Sequence, residues 1–197
     1  AALAELGSDR VGPNDRVFVY YSGHGTRLEV ADASQSAFRG VATRYREALV
    51  PVDGGLAGPT VLFDHELNAL LAKITRRTRA VTVVLDCCHS SGATRSLDQS
   101  GTNTRFIDLT DGADASGPVA ISPERAQLVA AAAGSGAHTS ADASNFDACQ
   151  VVAACLNDEL AKEVPKDVAE GQTRTGLLTR SLLEALAEIP DDELATA

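Results

Sequence analysis

The first half of the chain alternates short apolar runs with helical periodicity. Residues 1–7 (AALAELG) read as the end of a helix stopped at Gly7, and a turn cluster of Gly12, Pro13, Asn14 and Asp15 follows. Residues 16–21 (RVFVYY) are rich in β-formers, which predicts a buried strand ending at Ser22-Gly23-His24-Gly25. Residues 27–46 are polar and mixed, and 47–50 (EALV) form a shorter strand halted by Pro51. Asp64 resembles an N-cap, and Leu67, Leu70, Leu71 and Ile74 recur at i, i+3, i+4 and i+7. That spacing predicts an amphipathic helix ending in the basic cluster Arg76, Arg77 and Arg79. Residues 80–85 (AVTVVL) are apolar on both faces, as a central parallel strand must be, and end at Asp86-Cys87-Cys88-His89.

The second half is less regular. Residues 93–146 are rich in Ala, Ser, Gly, Asp and Thr, with only weak signs of a short element near 124–133. A connection of that length is more often functional or disordered than architectural. Residues 149–155 (CQVVAAC) read as another buried strand and 176–188 (GLLTRSLLEALAE) as an amphipathic helix, and no fixed-period repeat is present. Strands alternating with helices predict a mostly parallel α/β sheet covered on both faces. Chemistry in such sheets gathers beyond the carboxyl ends of the strands. Both Ser22–Gly25 and Asp86–His89 fall at such ends.

Composition narrows the class. A chain of 197 residues holds one domain with a sizeable core. With 44% hydrophobic residues, 4% aromatics and neither Met nor Trp, that core is built from Ala, Val, Leu and Ile. The formal net charge of -10 argues against a nucleic-acid surface, because displacing counterions from phosphate needs a basic patch. It suits solubility, or long-range attraction of a basic substrate. No apolar run approaches the ~20 residues that cross a bilayer, and no signal-peptide pattern opens the chain. Four cysteines, two of them adjacent, do not resemble a disulfide framework, so a reducing, cytoplasmic setting is expected.

The two strand ends carry the candidate chemistry. Cys88 follows a buried strand and precedes a possible helix start, where partial positive charge lowers a thiol pKa. His24 lies at the same predicted sheet edge, between Gly23 and Gly25, whose missing side chains let backbone approach a substrate. A thiolate, an imidazole and two backbone donors, the N–H groups of Cys88 and Gly25, would make a thiol hydrolase with an oxyanion hole. Each residue also has a plainer reading: a strand-end Cys as a small buried apolar group, and a His between glycines as a loop residue. Zinc is a further alternative through Cys87, Cys88, His89 and His24, but adjacent residues seldom reach one ion together and no C-x-x-C pair exists.

Tyr21-Ser22-Gly23-His24-Gly25 resembles the histidine motif of metacaspases and their prokaryotic caspase-like relatives. Asp86-Cys87-Cys88-His89-Ser90-Ser91-Gly92 resembles their cysteine motif, with Ser91 where the family usually has Gly. Ala48-Leu49-Val50-Pro51-Val52-Asp53 looks like the segment between the two motifs. Residues 151–163 and 175–186 look like the later strand, acidic turn and closing helix. The resemblance runs over nearly the whole chain. It implies one caspase-like peptidase domain, 1–197, taken from a longer protein, with 93–146 a long flexible or processed loop. The implied fold is a three-layer α/β/α sandwich of the caspase-haemoglobinase type with a mostly parallel central sheet, whose first strand is not expected within these residues.

The implied activity is peptide-bond hydrolysis by a Cys88–His24 dyad, after Arg or Lys. Asp86, two residues before the nucleophile, would offer a carboxylate to a guanidinium or ammonium at the pocket floor, and Ser22 a hydroxyl beside it. The alternative for Asp86 is a strand-end residue that caps the following helix. Asp158 and Glu159 would add acid to the cleft or cap a helix. Arg95, Arg105 and Arg125 read either as self-cleavage points or as surface charge. No third triad member is evident, which leaves a backbone carbonyl to orient His24. Calcium activates some relatives, and Asp108, Asp111 and Asp114 form an acidic run, but without EF-hand spacing, so no cofactor is expected. The expected partners are a protein or peptide substrate and a regulatory domain or partner chain, with no nucleic acid and no membrane. A catalytically silent scaffold and an Asp-specific caspase-type protease are the alternatives.

Overall fold

In the computed structural model the described residues are 2–29, 45–52, 61–87, 103–105, 124–125, 127, 149–155, 161–165 and 174–190. Helix α1 covers Ala2–Leu6, and strand β1 covers Arg16–Ser22. Next come β2 (His24–Glu29), β3 (Tyr45–Val50), β4 (Leu62–Phe63) and helix α2 (Asp64–Thr75). Strand β5 (Ala80–Asp86) follows, then β6 (Asn103–Thr104), β7 (Gln150–Ala153), β8 (Lys162–Pro165), β9 (Arg174–Gly176) and helix α3 (Leu177–Ala187).

The central sheet is parallel, in the order β1-β5-β7. Period-two alternation divides its side chains between two faces. Val17, Val81, Val83, Leu85 and Cys87 face Leu67, Leu71 and Ile74 of α2, with Leu3 and Leu6 of α1 against the same cluster. On the opposite face, α3 lies against β5, and the Tyr20 hydroxyl is 2.7 Å from Thr179 Oγ1. Helices on both faces of a mostly parallel sheet make the three-layer α/β/α arrangement that the pattern predicts.

Several local expectations change. Residues 24–29 form a strand that reaches into the stretch read only as polar and mixed, pairing antiparallel with β3 from His24↔Val50 to Glu29↔Tyr45. Asp64 is the first helical residue of α2 rather than its N-cap, a place taken by Phe63. Phe63 has no polar side chain to cap with, so Glu66 reaches back to accept its backbone N–H at 2.9 Å. Strand β7 is not buried: all four of its residues are exposed, because among the described residues it pairs only with β5. The β8–β9 hairpin was not predicted, its residues having too little apolar alternation to show as strands.

Arg125 is anchored rather than a surface charge. Its guanidinium pairs with the buried Glu66 carboxylate, donates to the Val61 carbonyl and lies over the Phe63 ring at 5.5 Å. Arg125→Ala leaves a buried carboxylate without its cation and is expected to cost about 3 kcal/mol in urea unfolding.

Glu47, in β3, responds to pH. Burial, then the neighbouring Asp64 charge, pushes its carboxyl up to about 7 against the opposing pull of Arg27. The folded chain therefore holds this proton more tightly than the unfolded chain, where the group titrates near 4.5. The Glu47 contribution to stability is largest below that lower value and falls as pH rises through the upper one. Glu47→Gln is expected to remove this slope from the pH dependence of Tm, and an unchanged slope would refute it.

Candidate active site

Strand register brings the two motif-bearing strand ends together. The parallel pairing of β1 and β5 closes on Ser22↔Asp86. The Gly23 N–H then donates to the Asp86 carbonyl at 3.3 Å, extending the pairing one step past β1. At Gly23 a Cβ would fall 2.6 Å from the Tyr21 hydroxyl, which is why the turn into β2 takes glycine. The Tyr21 hydroxyl lies 2.8 Å from the His24 carbonyl and 2.9 Å from that of Val50, and so ties the imidazole-bearing residue to β3. Burial first, then the charge of Cys87, pushes the Tyr21 phenol up to about 12, which keeps it a donor at neutral pH.

His24 is exposed and Gly25 buried at the start of β2. Cys87 is fully buried in the core cluster. Cys88, the expected nucleophile, lies outside the described residues, as do Asp158, His89 and Asp53. Among the described residues no group of three or more His, Cys, Asp or Glu is placed to hold a metal ion.

Asp86 is fully buried, and its carboxylate is shared. Oδ2 accepts the Thr179 N–H at 2.9 Å and the Thr179 hydroxyl as well, so the carboxylate caps the first turn of α3. Since Thr179 gives its hydroxyl proton to Asp86, Tyr20 must be the donor in the Tyr20–Thr179 contact. Gly176, the N-cap of α3, leaves no room for a side chain, because any Cβ there would collide with the Asp86 carboxylate.

The other side of Asp86 meets Arg105, which is 5% exposed. Arg105 Nη1 donates to Ser22 Oγ at 2.7 Å and to the Asp86 carbonyl at 2.8 Å. Its Nε stands 3.9 Å from Asp86 Oδ1, and its Nη2 3.5 Å from Glu163 Oε1. The backbone is held too: the Arg105 N–H donates to the Ala161 carbonyl at 3.0 Å, and the Arg105 carbonyl accepts the Gly25 N–H at 2.8 Å. Asp86, Ser22, His24 and Gly25 are therefore neighbours around one strand-end recess. Glu163, Thr179 and Gly176 belong to it as well. Sequence reading missed these three, since a lone Glu in a short strand and a Thr inside a helix carry no local signal.

This architecture, with chemistry-bearing residues at the carboxyl ends of adjacent parallel strands, defines a caspase-like α/β fold. Residues 1–97 match the family model described as "Metacaspase, peptidase C14 domain". Over 81 residues the chain is 33% identical to Metacaspase-1B of Aspergillus terreus and 36% to Metacaspase-5 of Trypanosoma cruzi. It is 32% identical to Metacaspase-1 of Schizosaccharomyces pombe over the same length. Each alignment covers 41% of this chain and 19%, 16% and 17% of those relatives, so the chain matches less than a fifth of their length. Residues 1–97, just under half of the chain, are thus similar to the metacaspase peptidase domain. Among the described residues no helix is long and apolar enough to cross a membrane.

Thr179→Val removes one of two donors to a buried carboxylate and is expected to lower unfolding free energy by about 1–3 kcal/mol. Gly176→Ala, which forces the carboxylate or the helix start aside, should cost at least as much in the same denaturation experiment.

Proposed function

We propose that the chain is a cysteine endopeptidase cutting after Arg or Lys, with Cys88 as nucleophile and His24 as general base and acid. The observation that carries this is the Ser22↔Asp86 register. His24 stands two residues past one partner of that pair and Cys88 two past the other. The pairing supports the reading that these two residues, far apart in sequence, meet at one sheet edge.

In the mechanism His24 takes the Cys88 proton, and the thiolate attacks the carbonyl that follows a basic side chain. Negative charge gathers on the carbonyl oxygen, for which the Gly25 N–H is a preorganised donor, with the Cys88 N–H as the expected second. His24 then protonates the leaving amine, and water hydrolyses the thioester. The Tyr21 hydroxyl at the His24 carbonyl and the β2–β3 pairing hold the imidazole-bearing backbone without a third catalytic side chain. No cofactor is required by these steps. A free thiol suits a reducing compartment such as the cytoplasm.

Specificity for Arg or Lys rests on charge. Asp86 and Glu163 place two carboxylates beside the recess, and Ser22 adds a hydroxyl. A cation there meets charge-assisted partners, whereas a substrate aspartate would meet repulsion. Asp158 is a further acidic candidate. A protein or peptide substrate and a regulatory domain or partner chain complete the proposal.

Reporter peptides ending in Arg, Lys or Asp test it. Arg and Lys peptides should be cleaved, Cys88→Ala and His24→Ala should each lose activity by at least a hundredfold, and Asp86→Asn should lower kcat/KM for Arg by about tenfold or more. Cleavage after Asp alone would refute the specificity. Cleavage surviving in Cys88→Ala would refute the mechanism.

A further inference from the structure

We infer that Cys87 and Cys155 are a redox-active pair, which a hydroperoxide closes to a disulfide across the ends of β5 and β7. Neither residue takes part in the proposed peptidase steps, so the inference stands or falls apart from that reading.

Alignment of the two strands makes the case. Their parallel pairing runs to Leu85↔Ala153, and the Ala154 N–H continues it by donating to the Leu85 carbonyl at 3.0 Å. Two residues further along each strand stand Cys87 and Cys155. The Cys155 thiol reaches across to the Cys87 carbonyl at 3.5 Å, although 68 positions separate the two residues in sequence. Directly paired residues of adjacent strands keep their Cα atoms about 5 Å apart, inside the ~4.4–6.8 Å that a disulfide spans. Both side chains are thiols in this structure. Cys149 precedes β7 at its opposite end, and a strand of that length separates its ends by more than a disulfide can bridge.

Exposure sets the order of events. Cys155 is half-buried, whereas Cys87 has no exposed surface and belongs to the core cluster with Leu71 and Leu85. An oxidant therefore meets Cys155 first. Its thiolate attacks one peroxide oxygen and the O–O bond breaks, leaving Cys155 as a sulfenic acid and releasing water. The Cys87 sulfur then attacks the Cys155 sulfur, the S–O bond breaks, and hydroxide leaves with the Cys87 proton as a second water. Two thiols lose two electrons and one hydrogen peroxide gains them. A dithiol reductant reverses the step, so in a reducing compartment the pair rests open.

Closure would be felt by the frame of the site. The bridge takes the Cys155 S–H away from the Cys87 carbonyl. It also removes the ionisable Cys87 thiol beside Tyr21, whose hydroxyl holds the His24 and Val50 carbonyls.

The test uses the Cys88→Ala chain, so that the proposed nucleophile cannot consume the oxidant. Hydrogen peroxide should lower its titratable thiols from three to one, at a rate independent of protein concentration. Peptide mapping should find the peptide holding Cys87 joined to the one holding Cys155, and dithiothreitol should part them. Adding Cys149→Ser should leave the bridge in place, and adding Cys155→Ser should abolish it. Adding Cys87→Ser should instead trap Cys155 as a dimedone-reactive sulfenic acid. Three thiols surviving peroxide, a link through Cys149, or links only between separate chains would each overturn the inference. A bridge that forms in the wild type but not in Cys88→Ala would give Cys155 a different partner and overturn it as well.

Discussion

A carboxylate with no exposed surface must find its partners inside the protein, and Asp86 organises the molecule around that requirement. Its Oδ2 takes the N–H and hydroxyl of Thr179 at the first turn of α3, and its Oδ1 faces the Arg105 guanidinium. One residue thereby joins the end of a central strand, the start of the helix on one sheet face, and a strand-like segment arriving from the long connection. Burying an unpaired charge would be prohibitive. The helix N-terminus and the arginine are therefore conditions for the fold to close, not additions to it. Gly176 is part of the same condition, since any side chain there would occupy the carboxylate's place.

The reactive residues inherit their placement from β1 and β5. Alternation in β5 sends Leu85 and Cys87 into the core shared with α2 and leaves Asp86 for the opposite face. Ser22, paired with Asp86 in register, meets the same guanidinium at 2.7 Å. Past Ser22 the chain leaves the parallel sheet for the antiparallel pairing of β2 with β3, so His24 stands where two sheets diverge. That position gives an exposed imidazole beside a buried backbone donor, and Tyr21 fixes the carbonyl between them.

Much of this was legible in the sequence where the physics is local. RVFVYY and AVTVVL declare strands through their β-branched and aromatic residues, and the leucine spacing of 67–74 declares α2. The strand at 16–21 was expected to be buried, but β1 turns only one side to the core and leaves Phe18 and Tyr20 exposed. Strand 24–29 was not legible, because its glycine and charged residues draw their order from pairing with β3 rather than from their own propensity. Buried status at β7 was over-read for the opposite reason: Val151 and Val152 look like core, yet burial depends on what covers a strand. Asp86 was read either as a pocket carboxylate or as a helix cap, and the structure shows it capping a helix start and facing Arg105. The cap is made to α3, some ninety residues on, at a separation that no local motif encodes.

Among the described residues of the long connection between β5 and β7, Arg105 is held beside Asp86 and Arg125 on Glu66. Its far side is held independently: β7 runs beside β5 from Thr82↔Gln150 to Leu85↔Ala153, and Thr179 grips Asp86. Covalent continuity through this region is therefore not what keeps the two halves in one fold. A nick within it would yield a heterodimer of complementary fragments that migrates as an uncut particle on a sizing column. The break would come to light only when denaturant pulls the halves apart.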